Sequence, residues 1–391
     1  MYIERDIRES FEKITTVYNI VAVVGPRQAG KTTFLKQEMK KRNASYVLFD
    51  DPDARGLFEE DVKKFEKQYV VGYDVAVLDE VQYCRDAGTK LKYLAEKGHR
   101  IWLTSSSEIL LGKEILSYLV GRVSILRLYP FSLPEFLDAA GQKEVTPEIL
   151  RRNVWEHMTY GGYPKAVLAK DAEMKKTILS DLYETMILKD VARTFSIEDI
   201  QSLEDLVKYL AVNTGSVMSY ESVSSAVKIS FQTLRKYLDA LEKSYIILRV
   251  PPYHTNKSKE ITKQPKIYFL DTGLRNSVVK SYAADPGGKE FENYVACELL
   301  KTGLTPKYWR TKSKAEVDYV IEKDGAVIPI EVKKTAEEGK IGKGMHSFIE
   351  AYKPKNAFIV SYGGQTGIKQ VGGCAVTYTD ALTMQRKILV A

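Results

Sequence analysis

Gly25-Pro26-Arg27-Gln28-Ala29-Gly30-Lys31-Thr32-Thr33 directly follows the apolar run Tyr18-Asn-Ile-Val-Ala-Val-Val24, and this pairing decides the fold of the first third of the chain. The nine residues have the form G-x-x-x-x-G-K-[ST], a loop whose glycines let backbone N–H groups close around phosphate oxygens. An apolar strand before the loop and a helix after it, expected over Thr33 to Lys41, are the flanks this chemistry requires. Lys31 adds a mobile positive charge, and the Thr32 hydroxyl is placed to coordinate Mg²⁺ beneath the β- and γ-phosphates. Residues 25–33 are therefore expected to bind a nucleoside triphosphate.

About fifty residues on, Tyr73-Asp-Val-Ala-Val-Leu-Asp79-Glu80 reads as a buried parallel strand ending in two carboxylates. Asp79 is the expected metal-side acid and Glu80 the expected general base for water. Between Asn19 and Leu128, strand, loop and helix signals alternate. Buried strands are expected near Ile20–Val24, Tyr46–Phe49, Val75–Leu78, His99–Thr104 and Ser124–Leu128, which predicts a doubly wound parallel α/β sheet of the P-loop NTPase class. Thr104-Ser105-Ser106-Ser107 ends the fourth strand and suits either γ-phosphate sensing or capping of a helix over Glu108–Leu119. Arg122 reads either as a γ-phosphate contact, in its own or a neighbouring subunit, or as a structural ion pair.

A chain of 391 residues with 44% hydrophobic residues is long enough for two or three domains. No apolar stretch approaches the roughly 18 residues of a membrane span, and the N-terminus lacks the apolar core of a secretion signal, so a soluble, cytoplasmic protein without a membrane partner is expected. Cys84, Cys297 and Cys374 are too scattered for a disulfide framework or a zinc site and are expected to be buried, inert thiols. The net charge of +7 is unevenly divided. Residues 1–150 hold 22 Lys/Arg against 23 Asp/Glu, net −1, whereas residues 201–391 hold 28 against 20, net +8. The basic excess fits a nucleic-acid-facing surface or a merely solvated one.

From Leu133 to about Phe195 the pattern is mostly helical, interrupted at Tyr160-Gly-Gly-Tyr-Pro164. Helices over Ser219–Val227 and Ser230–Leu241, joined by Lys228-Ile229 and followed by a strand at Tyr245–Val250, predict a winged helix-turn-helix. Phe231, Gln232, Thr233, Arg235 and Lys236 then open the helix that faces a DNA groove, unless the element serves protein packing. The lysine-bearing segment 257–266 reads as a loop, and Tyr282–Gly288 as a domain boundary.

Beyond that boundary a second constellation appears. An amphipathic helix carries Glu292 and Asn293, a strand carries Glu316 and Asp318 on one face, and Pro329-Ile-Glu331-Val-Lys333 places an acid and a lysine on another strand. Two strand carboxylates, Asp318 and Glu331, that hold Mg²⁺ beside a lysine, Lys333, that positions water or an oxyanion, are the layout of a nuclease with a four-stranded core. Because the strand around Glu331 is otherwise apolar, both charged residues need a reason to be there.

Taken together, the loop, Leu78-Asp79-Glu80-x-Gln82, the serine cluster, Gly121-Arg122, Leu128-Tyr-Pro-Phe-Ser-Leu-Pro-Glu135-Phe136 and Gly161-Gly-Tyr-Pro164 are recognisable. The chain resembles the AAA-type P-loop ATPases of archaea and bacteria that carry a winged helix and a C-terminal nuclease-like domain of unknown function. The resemblance implies ATP as the nucleotide, Lys31 and Thr32 on phosphate and magnesium, Asp79 and Glu80 on metal and water, and Arg122 on the γ-phosphate. It implies an ATPase core over 1–135, a helical connector over 136–199, a winged helix over 200–280 and a restriction-endonuclease-like α/β domain over 281–391. Where that family has Thr-Gly-Ser-Ser after the fourth strand, this chain has Thr104-Ser105-Ser106. The expected partner is nucleic acid, DNA before RNA, with cleavage by the C-terminal domain. The alternative is a nucleotide switch that gates a protein partner, and a homo-oligomer is compatible with either.

Overall fold

Five parallel strands build the first sheet: β1 (Ile20–Val24), β2 (Ala44–Leu48), β3 (Val75–Asp79), β4 (Ile101–Ser105) and β5 (Val123–Arg127), in the order β2-β3-β4-β1-β5. β1, β3 and β4 are buried at every position, as expected of parallel strands covered by helices on both faces. The computed structural model describes residues 2–106, 112, 116–256, 260, 263–282, 287–337 and 339–391. Ser107, most of the helix expected over Glu108–Leu119, residues 257–259 and 261–262 of the expected 257–266 loop and residues 283–286 of the expected boundary lie outside these residues.

Two compact units form. One comprises Met1–Phe131 with Lys243–Tyr245, the other Ser132–Glu242 with Ile246–Ala391. In the first, Phe11, Phe34 and Trp102 pack edge to face at 4.8–5.0 Å on one side of the sheet, while Phe49, Phe58 and Phe65 cluster on the other.

The second unit begins with helices. Helix Pro147–Tyr160 stops at Gly161, and Pro164 opens the next helix at its first turn, so the expected break is present. Helices Tyr220–Val227 and Phe231–Lys243 are joined through Lys228, which takes a left-handed φ of 58°. Ser230 Oγ accepts from Thr233 N at 3.1 Å and caps the second of them, whose Leu234, Tyr237, Leu238 and Leu241 recur at helical spacing and are buried. β6 (Ile247–Val250) then pairs antiparallel with β7 (Lys266–Phe269).

The C-terminal sheet contains β8 (Lys307–Arg310), β9 (Glu316–Lys323), β10 (Ala326–Lys333), β11 (Asn356–Ser361), β12 (Gly367–Val371) and β13 (Cys374–Thr379), ordered β12-β13-β11-β10-β9-β8. β9 runs antiparallel to both of its neighbours, β8 and β10, and helix Lys343–Tyr352 crosses over to make β11 parallel to β10. Helix Gly288–Lys301 packs through Phe291, Tyr294, Val295 and Leu299 on the face that presents Tyr319, Ile328, Ile330 and Phe358. All three cysteines are free and buried, and burial pushes the thiols of Cys84 and Cys297 up to about 12. Among the described residues no helix is long and apolar enough to cross a membrane.

Candidate functional sites

The phosphate loop leaves β1 at Gly25, whose φ of 149° and tight packing exclude a side chain: a Cβ there would lie 2.1 Å from the Leu128 carbonyl oxygen. Helix Lys31–Met39 opens at Gly30, which takes a left-handed φ of 99° and has no side chain to cap it, and a helix start of this kind suits an anion. The Lys31 ammonium is buried and donates to the carbonyls of Gly25 and Pro26, both at 2.9 Å.

Strand order explains what meets this loop. β4 lies between β1 and β3, so the end of β4 stands beside both the loop and Asp79. Thr32 Oγ1 donates to the two Asp79 oxygens at 3.0 and 2.9 Å, the Tyr46 hydroxyl donates to Asp79 at 2.5 Å, and Thr104 Oγ1 donates to it as well. A hydroxyl and a carboxylate in contact are the hard oxygen donors that Mg²⁺ takes, so this pair fits that ion. Glu80 is held in the left-handed region at φ 60°, its N–H donating to Thr104 Oγ1 at 3.0 Å. The Gln82 amide and Ser106 Oγ, the latter at 3.4 Å, both donate to the Glu80 carboxylate. A non-glycine residue in this region is strained by about 1–3 kcal/mol, a cost characteristic of functional sites.

The sequence reading singled out Lys31, Thr32, Asp79 and Glu80, and the fold brings these residues together; Thr104 and Ser106 join them on the acids. Arg122 takes the second of its two expected roles, the ion pair. It sits ahead of β5, its carbonyl accepting from Ile20 N at 3.2 Å, at the edge of the sheet where β1 begins. The loop leaves the other edge, about 16 Å away at the rise of a five-residue strand. Arg122 therefore does not reach a phosphate in its own chain, and it pairs with Glu96 at 3.3 Å.

Tyr46 and Arg5 carried no signal in the sequence. Arg5 is buried, with Nη1 donating to the Ala29 carbonyl at 2.8 Å and Nη2 to the Tyr129 carbonyl at 2.6 Å, and its guanidinium lies 4.9 Å from the Phe131 ring centre. It ties the phosphate loop to the segment after β5.

In the second unit the register Tyr319↔Ile330 sets Asp318 beside Glu331, and Val332 N donates to Asp318 at 2.8 Å. Among the described residues, carboxylate oxygens of Glu292, Glu316 and Asp318 all lie within 4.8 Å of one another. Burial, reinforced by the Glu292 charge, raises the Asp318 carboxyl to about 7, although that residue keeps some surface open to solvent. Glu331 Oε1 pairs with Lys333 at 2.7 Å, while its buried Oε2 has no hydrogen-bond partner among the described residues. A Cβ on Gly342 would lie 2.4 Å from Glu331 Oε1, so the glycine leaves this carboxylate its room. An orphaned buried carboxylate oxygen beside other acids fits a divalent cation.

Glu292 and Glu316, read in the sequence on the helix and on the strand of Asp318, stand with Asp318 as candidate ligands, and Asn293 takes another task. Asn293 accepts from Phe269 N at 2.9 Å and donates to Phe269 O at 2.7 Å, pinning β7 to the helix. On the helix after the Lys228 turn, Phe231, Gln232, Arg235 and Lys236 are exposed, as a surface for a partner requires.

The five-stranded parallel order, the loop and the acid-tipped strand beside it define a P-loop NTPase domain. Residues 17–137 match the AAA domain family. Residues 151–284 and 287–380 match two domains of unknown function, DUF8612 and DUF4143. An uncharacterized protein of Haemophilus influenzae is 26% identical over 80% of this chain and 82% of its own, and one of Methanocaldococcus jannaschii is 26% identical over 87% and 80%. Among solved structures the chain is similar to the Walker-type ATPase of Pyrococcus abyssi, at 14% identity over 71% of this chain and 96% of that one, with a TM-score of 0.46. The ORC2 protein of Aeropyrum pernix matches at 12% identity, 71% and 95% coverage and a TM-score of 0.39. Both likenesses are too remote to bear on function.

Proposed function

We propose that this protein is a Mg²⁺-dependent ATPase that acts on DNA, with a nuclease-like C-terminal domain that cleaves it. The observation that carries the ATPase reading is the contact set of Thr32, Asp79, Thr104 and Glu80 at the mouth of the phosphate loop. Thr32 Oγ1 and the Asp79 carboxylate would hold Mg²⁺, which would supply neutralisation of the phosphate charge. Lys31 binds the phosphates, and Glu80, oriented by Gln82 and Ser106, accepts the proton of the attacking water. Arg122 remains available only to a nucleotide on a neighbouring subunit, which ties that role to a homo-oligomer.

The DNA reading is supported by the net charge of +8 over residues 201–391 and by the exposed Gln232, Arg235 and Lys236 on the second helix of a winged-helix-like element. The cleavage reading is supported by Asp318, Glu331 and Lys333 in adjoining positions on β9 and β10. One observation favours the second reading, a nucleotide switch gating a protein partner: the buried Lys266 pairs with Glu292 at 2.9 Å and Glu316 at 2.5 Å, inside the acidic centre.

The two readings separate in one experiment: ATP turnover with Mg²⁺, alone and with single-stranded, duplex and branched DNA, while cleavage of labelled DNA is followed in the same tubes. DNA-stimulated turnover with cleavage lost in Asp318→Ala is the expected outcome. Turnover indifferent to every DNA, with no cleavage, overturns the DNA reading in favour of the switch.

Arg5→Ala is expected to raise the KM for ATP about tenfold at nearly unchanged kcat, equivalent to about 1.4 kcal/mol of loop ordering that binding must then supply. Steady-state titration of ATP checks it. An unchanged KM accompanied only by a lower Tm would make Arg5 a fold-stabilising residue.

A further inference from the structure

Lys266 is buried at the C-terminal acidic centre, and nothing in the sequence pointed to it. It opens β7, the strand paired with β6 behind the helix-turn-helix, and it is 1% exposed. Lysine is almost never buried to this degree unless its charge is matched. Its ammonium lies 2.9 Å from Glu292 Oε1 and 2.5 Å from Glu316 Oε1, two of the three carboxylates whose oxygens cluster within 4.8 Å. The remaining charges are matched in the same way. Lys289 takes the other Glu292 oxygen at 2.9 Å, Arg310 the other Glu316 oxygen at 3.4 Å, and Lys333 takes Glu331 at 2.7 Å. Three carboxylates thus pair with four cations, and the one that bridges Glu292 and Glu316 is Lys266.

We propose that Lys266 is the resident cation of this centre and competes with a divalent metal for it. The inference rests on the reading of the centre as a metal site. An ammonium and a hydrated Mg²⁺ or Mn²⁺ cannot share the space between Glu292, Glu316 and Asp318, because each needs the same oxygens and the two repel at contact distance. The metal enters as the lysine leaves. Since Lys266 belongs to β7, held to helix Gly288–Lys301 by Asn293 and paired to β6, a shift of the two-stranded sheet moves the lysine and opens the centre. The acidic centre is thereby coupled to the helix-turn-helix element that precedes β6.

The test is a Mn²⁺ titration of the nucleotide-free full chain, read by the electron paramagnetic resonance of free Mn²⁺, for the wild type, Lys266→Gln, Asp318→Asn and the double variant. Lys266→Gln is expected to bind one Mn²⁺ at least about tenfold more tightly than the wild type, and Asp318→Asn to remove that site. Equal affinity in the wild type and Lys266→Gln, lost in both on Asp318→Asn, overturns the role of the lysine and leaves the metal reading standing. No Mn²⁺ bound by the wild type or by Lys266→Gln overturns both. If Lys266→Gln does not fold, the wild type carries the test through the reactivity of its lysine. On the wild type, acylation of the Lys266 amine is expected to accelerate when Mn²⁺ saturates the site, and a rate indifferent to Mn²⁺ counts against displacement.

Discussion

Glu80→Gln is expected to lower ATP turnover by about 100-fold or more while leaving ATP affinity within about twofold, because a general base contributes roughly 10²–10⁴ to rate and little to ground-state binding. The substitution preserves size and an acceptor oxygen, so the Gln82 and Ser106 side chains keep a partner and the left-handed backbone at residue 80 keeps its N–H bond to Thr104. What it removes is the ability to take a proton. Single-turnover hydrolysis, with nucleotide binding measured on the same preparation, separates the two effects. Turnover within about threefold of the wild type would reassign the base and leave Glu80 as a positioning residue. Asp79→Asn is the informative companion: it disturbs the contacts to Thr32, Tyr46 and Thr104 together, and its loss is expected to grow as Mg²⁺ is lowered.

Glu298→Ala is expected to destabilise the second unit by about 3–5 kcal/mol, the usual cost of breaking a buried ion pair by removing one partner. Glu298 is fully buried and Lys301, 7% exposed, pairs with it at 2.7 Å. The same carboxylate accepts from Leu133 N at 2.8 Å and from Gln385 Nε2 at 3.3 Å, so truncation withdraws it from a buried ammonium, a backbone N–H and an amide at once. For a unit of this size each kcal/mol corresponds to about 2–4 °C in Tm, so a fall of about 6–20 °C in the melting of that unit is expected. Chemical denaturation followed by the far-ultraviolet signal checks the magnitude. Replacing both residues, Glu298→Leu with Lys301→Met, is expected to cost far less, because the penalty lies in stranding a charge and not in losing the pair. A loss below about 1 kcal/mol in Glu298→Ala would show that Lys301 finds water or another acceptor at no cost.

How much was legible in advance follows the range of the interaction. The strands expected at Ile20–Val24 and Val75–Leu78 lie within a residue of those observed, because a run of apolar β-branched residues bounded by polar turns is a local signal. The strand expected at His99–Thr104 is displaced, running Ile101–Ser105, since residues 97–98 turn after helix Ala87–Glu96 and His99 N still donates back to Leu94 O at 3.2 Å. β7 was missed altogether. Its Lys-Ile-Tyr-Phe is short, opens with a charge and follows a lysine-bearing loop, so its burial at every position could not be read from pattern. Asn293 was placed on the right helix, yet its task, pairing with the Phe269 backbone, depends on β7 lying alongside.

The sequence by itself determined the phosphate loop, the acids that end β3, the helix after the turn at Lys228, and the Glu-x-Lys of β10. Each is a contiguous pattern whose geometry follows from one loop, one strand or one helix turn. Tertiary structure alone decided which of these residues meet. The insertion of β4 between β1 and β3 puts Thr104 on Asp79 and Glu80, and the parallel pairing of β1 with β5 puts Arg122 at the far edge of the sheet. The packing of β7 against helix Gly288–Lys301 buries Lys266 among acids that lie 26 and 50 residues further along the chain. Strand order and long-range pairing are selected by the burial of whole faces and by the matching of buried charge, which are properties of the assembled unit and not of any segment within it.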